Sequence, residues 1–94
     1  MAQRKSKAYQ IGYEEGRSLP IDLTWVGEML AKGYNIYDIE SEDFSSYEDT
    51  LGMDIGAWLR GYHGLRGTEK DIAEFMRGWT QGYRENLWET LFQE

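Results

Sequence analysis

The sequence predicts a mainly α fold, a small bundle of four or five helices that ends in a long C-terminal helix. Three observations carry this. Apolar residues recur at steps of three and four over the second half of the chain, and Asp22, Asp54 and Thr68 stand as side-chain caps just ahead of apolar runs. The one proline, Pro20, falls between two of those runs. At 94 residues, 40% apolar and 15% aromatic, the chain fills one core and reads as a single domain over 1–94.

A first helix is expected over roughly Ser6 to Gly16, ended by Ser18 and Pro20 because a proline ring restricts the residue before it. Asp22 caps a second, which carries Leu23, Val26, Gly27 and Leu30 and closes with Lys32 in its last turn and Gly33 behind it. Between Tyr34 and Leu51 the periodicity is weak. Asn35-Ile-Tyr-Asp-Ile39 alternates enough for a short β piece over 34–39, and Ser45 to Leu51, with Gly52 behind it, reads as one or two helical turns. Asp54 caps the next helix, where Ile55, Trp58, Leu59, Tyr62 and Leu65 keep helical spacing up to the stop signals Gly64 and Gly67. Thr68, with Asp71 in the first turn, starts the last helix near Glu69. Ile72, Phe75, Met76, Trp79, Tyr83 and Leu87 then extend it for about six turns. Trp88, Leu91 and Phe92 widen its apolar stripe beyond what one neighbouring helix covers, so that end is a candidate interface.

One short pattern occurs more than once. Tyr9-Gln-Ile-Gly12-Tyr13-Glu-Glu-Gly16 and Phe75-Met-Arg-Gly78-Trp79-Thr-Gln-Gly82 share aromatic-x-x-Gly-aromatic-x-x-Gly, and Trp58-Leu-Arg-Gly61-Tyr62 is a partial copy. Glycine inside a helix costs about 1 kcal/mol relative to alanine, so glycines four apart ask for a reason. That spacing puts both on one face, removes the side-chain ridge there and lets a neighbouring backbone approach. The first and last helices are therefore expected to meet at Gly12, Gly16, Gly78 and Gly82. The competing reading of the same pattern is a shallow groove between aromatics that receives a ligand or a partner side chain.

Ala8-Tyr-Gln-Ile-Gly12-Tyr13, continued by Gly16-Arg17-Ser18 and joined by Trp58-Leu-x-Gly61 or Gly78-Trp79, resembles the glycine and aromatic pattern of the small ribosome modulation factor family. The resemblance covers about twenty residues in two pieces and implies a helical fold and ribosome binding.

Charge is unevenly placed. The formal net charge is −7. Residues 1–17 are mildly basic through Arg4, Lys5, Lys7 and Arg17, and residues 55–94 are close to balanced. The deficit lies in 18–54, where Lys32 is the single basic residue. Six acids, Asp38, Glu40, Glu42, Asp43, Glu48 and Asp49, fall within the twelve residues from Asp38 to Asp49. Ile39, Phe44 and Tyr47 separate them, so this segment packs apolar side chains while presenting a negative face. The alternative is a solvated surface that serves solubility. Such a charge repels nucleic acid and anionic lipid alike, so neither direct nucleic-acid binding nor membrane binding is expected.

Chemistry finds little to work with. Cysteine is absent, which removes disulfides, thiolate metal sites and cysteine nucleophiles and makes a reducing cytoplasm the expected compartment. No stretch approaches the ~20 apolar residues of a membrane span. The single histidine, His63, reads as a helix-end residue, and no serine is marked as a nucleophile. Gly61-x-x-Gly64-x-x-Gly67-Thr68 lacks the strand before it and the Gly-Lys-Ser/Thr end of a phosphate loop. The acids lack the spacing of a calcium loop. An enzyme is not expected, and neither a cofactor nor a metal is.

The expectation is a noncatalytic interaction protein. Its acidic middle engages a protein partner with a basic, nucleic-acid-binding surface through Asp38, Glu40, Glu42, Asp43, Glu48 and Asp49, with Trp88, Leu91 and Phe92 as apolar anchors. In overall character the chain is similar to the small acidic inhibitors that phages and plasmids encode against host nucleic-acid enzymes, anti-CRISPR and anti-restriction proteins among them. That resemblance implies a DNA mimic acting in a host cytoplasm, with carboxylates where phosphates would lie. The alternatives are a ribosome-associated or RNA-binding regulator that uses the basic head, and a homodimer or larger homo-oligomer held by the glycine faces and the aromatic end.

Overall fold

The computed structural model describes residues 5–92. Five helices follow one another among these residues: α1 (Lys7–Ser18), α2 (Leu23–Ala31), α3 (Ile36–Leu51), α4 (Ile55–His63) and α5 (Glu69–Phe92). They form a slab with extents of 41 × 36 × 19 Å, two helix diameters thick.

The helix ends follow local chemistry. Ser6 Oγ accepts from Tyr9 N–H at the start of α1, Asp22 accepts from Thr24 and Trp25 N–H, and Asp54 accepts from Ala57 N–H. Thr68 Oγ1 accepts from Asp71 N–H at 3.2 Å while the Asp71 carboxylate accepts from Thr68 N–H at 3.4 Å and from Gly67 N–H at 3.0 Å, a reciprocal arrangement that opens α5. Gly52 and Gly64 end α3 and α4 at φ of 71° and 67°, a conformation that a side chain disfavours.

The region 34–51 differs from expectation. Among the described residues no strand occurs, and the segment expected as a short β piece is the start of a 16-residue helix, α3. The cause is a capping box: Asn35 Oδ1 accepts from Asp38 N–H at 2.9 Å and Asp38 Oδ2 accepts from Asn35 N–H at 3.0 Å. Once the helix starts, Ile36, Ile39, Glu40, Asp43 and Tyr47 stand at three- and four-residue steps and turn toward the core.

The glycines expected to join the ends of the chain do so. The backbone carbonyls of Phe75 and Trp79 face Gly12 and Gly16, and those of Tyr9 and Tyr13 face Gly78 and Gly82. A Cβ at any of these four positions would fall under 3 Å from facing main-chain atoms. The two helices run parallel, with Gly12 opposite Phe75 and Trp79 and Gly16 opposite Trp79 and Tyr83. An offset of 66 residues carries Tyr9, Gly12, Tyr13 and Gly16 onto Phe75, Gly78, Trp79 and Gly82, so each repeat meets the other through the same positions. The contact is a local pseudo-two-fold, and it sets Cα–H groups against facing carbonyls. Asn86 reinforces it by donating from Nδ2 to Gly16 O at 3.1 Å and Leu19 O at 2.6 Å, which satisfies carbonyls at the end of α1. The third copy behaves differently, because nothing lies within 4 Å of where a Gly61 Cβ would stand.

α3 packs antiparallel on α5. Glu40 meets Arg84, Asp43 meets Tyr83, Phe44 meets the Trp79 ring edge-on at 5.0 Å and Tyr47 stacks near Phe75 at 6.2 Å. Val26 from α2, Ile39 from α3 and Leu59 from α4 close the core around Phe75, Trp79 and Tyr83. α5 thus packs against both α1 and α3, and α3 reaches α1 as well through Tyr47 and Glu15.

Candidate interaction surface

Helix α3 sorts its six acids by phase. At 100° per residue Asp38, Glu42 and Asp49 fall within about 40° of one another on the side away from the core. All three are exposed, and the row spans about 16 Å at 1.5 Å per residue. Glu48 is also exposed and stands beside this row, at the groove between α3 and α5. None of the ion pairs among the described residues uses Asp38, Glu42, Glu48 or Asp49.

Glu40 and Asp43 are placed otherwise. Glu40 is buried and takes the Arg84 guanidinium through both carboxylate oxygens, Nη2 to Oε1 measuring 3.2 Å. Asp43 is half-buried and accepts from the Tyr83 hydroxyl. Their partners lie on α5, 44 and 40 residues along the chain, where local sequence spacing gives no sign of them. These two carboxylates hold α3 onto α5, and the outward acidic face consists of the other four.

Two further tyrosine–carboxylate bridges tie the helices together. Tyr47 donates to Glu15 at 2.7 Å, joining α3 to α1, and Tyr13 donates to Glu85, joining α1 to α5. The Tyr13 hydroxyl holds the Glu85 carboxyl below its ordinary value, with Gln81 adding to the effect. Burial, joined by the Asp22 carboxylate, holds Asp43 above the usual carboxyl range against the opposing pull of the Tyr83 hydroxyl. A carboxyl raised in the folded state disfavours folding once it ionises, so its contribution declines as pH rises from the unfolded value through the folded one. Asp43→Asn keeps an acceptor for Tyr83 and removes that charge. It is expected to raise the urea midpoint at pH 7 and to lose the advantage near about pH 3, where the unfolded-state carboxyl is itself mostly protonated. A midpoint at pH 7 below that of the unsubstituted chain would contradict this.

The aromatic end of α5 is open. Trp88 is 66% and Phe92 68% exposed, with ring centroids 4.6 Å apart, and Tyr37 at the start of α3 is 63% exposed. A groove of about 440 Å³ lies between Tyr37, Ile36, Leu87, Trp88 and Leu91, with the Glu40–Arg84 pair at its inner end. The Arg84 guanidinium lies 5.4 Å from the Tyr37 ring centroid. The aromatic patch and the acidic row therefore meet at the start of α3, where Tyr37 lines the one and Asp38 begins the other.

Three of the arginines are engaged in ion pairs. Arg17 pairs with Glu89 at 3.1 Å and lies 3.9 Å from Glu85, Arg77 pairs with Glu74 at 2.7 Å, and Arg84 pairs with Glu40. Arg4 lies outside the described residues. His63 packs edge-on to Trp58 at 4.6 Å, at the end of α4. Among the described residues no group of three His, Cys, Asp or Glu side chains is arranged to hold a metal ion, and no helix is long and apolar enough to cross a membrane.

Comparison with family models, curated proteins and solved structures finds no match. The likeness to ribosome modulation factor thus rests on the glycine and aromatic spacing alone, and helix packing accounts for that spacing at Gly12, Gly16, Gly78 and Gly82.

Proposed function

We propose that this chain is a noncatalytic inhibitor that binds a nucleic-acid-processing protein of a host cell and occupies its basic groove, in the manner of anti-CRISPR and anti-restriction proteins. The observation that carries the reading is the set of four outward carboxylates on α3, Asp38, Glu42, Glu48 and Asp49, unpaired by any cation of the described residues and adjoining an exposed aromatic patch. A DNA strand of about 16 Å carries roughly five phosphates, and the row of Asp38, Glu42 and Asp49, with Glu48 beside it, offers negative charge over that length. Trp88 and Phe92 supply the apolar anchoring that a purely electrostatic contact lacks. On α5 Arg77 and Arg84 are paired with Glu74 and Glu40, and the formal net charge is −7, which favours this reading over RNA binding. The site of action would be the host cytoplasm.

The test is the triple variant Glu42→Gln, Glu48→Gln, Asp49→Asn, which leaves the capping carboxylate of Asp38 and both internal carboxylates in place. Tagged parent and variant are used to capture partners from host lysate with and without nuclease treatment. The parent is expected to retain a nucleic-acid enzyme after treatment, and the variant, with unchanged helical circular dichroism, to lose it. Equal retention by the variant would sink the proposal, and ribosomal proteins that vanish on nuclease treatment would point to the RNA-binding alternative.

A further inference from the structure

The seam between α3 and α5 carries two grooves in line. The one at the aromatic end holds about 440 Å³ and the other, bounded by Phe44, Glu48, Met76 and Thr80, about 340 Å³. Glu40 borders both, so the Glu40–Arg84 pair crosses a single furrow at its middle. From Met76 to Leu91 the furrow follows α5 for about 22 Å, room for roughly four turns of a third helix.

Its two ends differ chemically. Ile36, Leu87, Trp88 and Leu91 make the first apolar; Ser41, Ser45, Thr80 and the unpaired Glu48 make the second hydroxyl-rich and negative. Trp79 borders this second part. It is 1% exposed, and its indole N–H is, among the described residues, the buried side-chain polar atom left without a hydrogen-bond partner. Such a donor is costly to leave unmade, and its burial keeps it out of reach of the groove.

A second copy of the chain fits this furrow poorly. Tyr37, Trp88 and Phe92, each about two-thirds exposed, offer with Leu91 on the order of 400–500 Å², against the roughly 800 Å² per partner of a stable interface. A second copy also brings a charge of −7 to a face that already holds Glu48. A basic partner does not meet the charge obstacle, and attraction to the acidic face supplements the limited apolar area. Resting on the function proposed above, we infer that the α3/α5 furrow receives a basic amphipathic helix of the partner. A large apolar side chain of that helix seats between Tyr37 and Trp88, and a lysine or arginine about three turns along it reaches Glu48. The spacing follows from the 11 residues that separate Tyr37 from Glu48 on α3, about 16 Å of helix.

The probe is a lysine-rich amphipathic helical peptide of about eighteen residues with leucines on one face, beside a scrambled peptide of the same composition that keeps the charge and loses the face. Each is titrated into the ¹⁵N-labelled full chain while the four tryptophan indole signals are followed. The indoles of Trp79 and Trp88 are expected to shift while those of Trp25 and Trp58 stay, and the scrambled peptide to bind about tenfold more weakly. Trp88→Ala, at an exposed position, is expected to weaken binding about tenfold and Glu48→Gln about threefold. Equal binding of both peptides, with shifts confined to the backbone signals around Glu42 and Asp49, would overturn the furrow and leave the acidic-face proposal standing. Binding of neither peptide at millimolar concentration would overturn both. A Trp88 signal that moves with protein concentration alone would assign the furrow to a second copy and overturn the inference.

Discussion

Gly78→Ala is expected to destabilise the fold by more than about 3 kcal/mol, enough to lower the melting temperature by at least roughly 12 °C in a domain of this size. The added methyl would press into the Tyr9 carbonyl group and the main-chain nitrogen of Tyr13, and main chain within a helix cannot swing aside as a side chain can. Relief requires α1 and α5 to separate along their whole contact, which loosens Tyr13 from Glu85 and Asn86 from the end of α1 at the same time. The same substitution has the opposite sign elsewhere. Nothing lies within 4 Å of a Cβ at Gly27 or Gly61, both inside helices with ordinary φ, so alanine there is expected to gain about 0.5–1 kcal/mol from lower unfolded-state freedom and better helix propensity. Thermal melts of the three variants decide the matter. A Gly78→Ala protein that melts with the parent would mean that the close contact of the two helices is not what holds them.

Trp79→Ala is expected to cost about 3–5 kcal/mol, a large share of what a domain of this length has to lose. The Trp79 ring stacks on Tyr83 at 4.9 Å and 7°, meets Phe44 edge-on and lies 5.9 Å from Tyr47, so its removal opens a void bordered by three aromatic rings from two helices. Trp79→Phe separates packing from hydrogen bonding: it keeps an aromatic ring in the stack and deletes the unpartnered indole N–H, and is expected to cost less than half as much. Urea titrations with unchanged slopes would give both differences directly. A loss within about 1 kcal/mol for Trp79→Ala would place the centre of the core elsewhere.

Much of this fold is legible in the chain because its signals are local. Asp22, Asp54 and Thr68 bond to main-chain N–H groups two or three residues on, and Gly52 and Gly64 take the positive φ that ends a helix. The meeting of α1 with α5 was also legible, since repeated glycine pairs have few other uses, but the parallel course of the two helices was not. The middle of the chain was harder. Ser, Asp and Glu dominate α3, and an alternating stretch at 34–39 imitates a strand. The Asn35-x-x-Asp38 capping box was the local sign that favours a helix there.

The candidate site divides along the same line. Which segment is acidic can be read directly, whereas which acids face outward depends on partners far along the chain. Glu40 belongs with Arg84 and Asp43 with Tyr83, and no spacing rule connects residues 44 and 40 positions apart. The exposure of Trp88 and Phe92 agrees with the excess apolar width at the end of α5, a local feature again.

The 66-residue offset between the paired repeats has a consequence for synthesis. At roughly 5–20 residues per second, α1 is synthesised about 3–13 s before the segment of α5 that faces it. During that interval Gly12 and Gly16 lie in a helix that nothing supports, and a 12-residue helix of this kind is marginal on its own. The chain therefore acquires its native structure late and nearly all at once. For those seconds it presents an unfolded, aromatic-rich nascent chain to the chaperones and proteases of the cell that makes it.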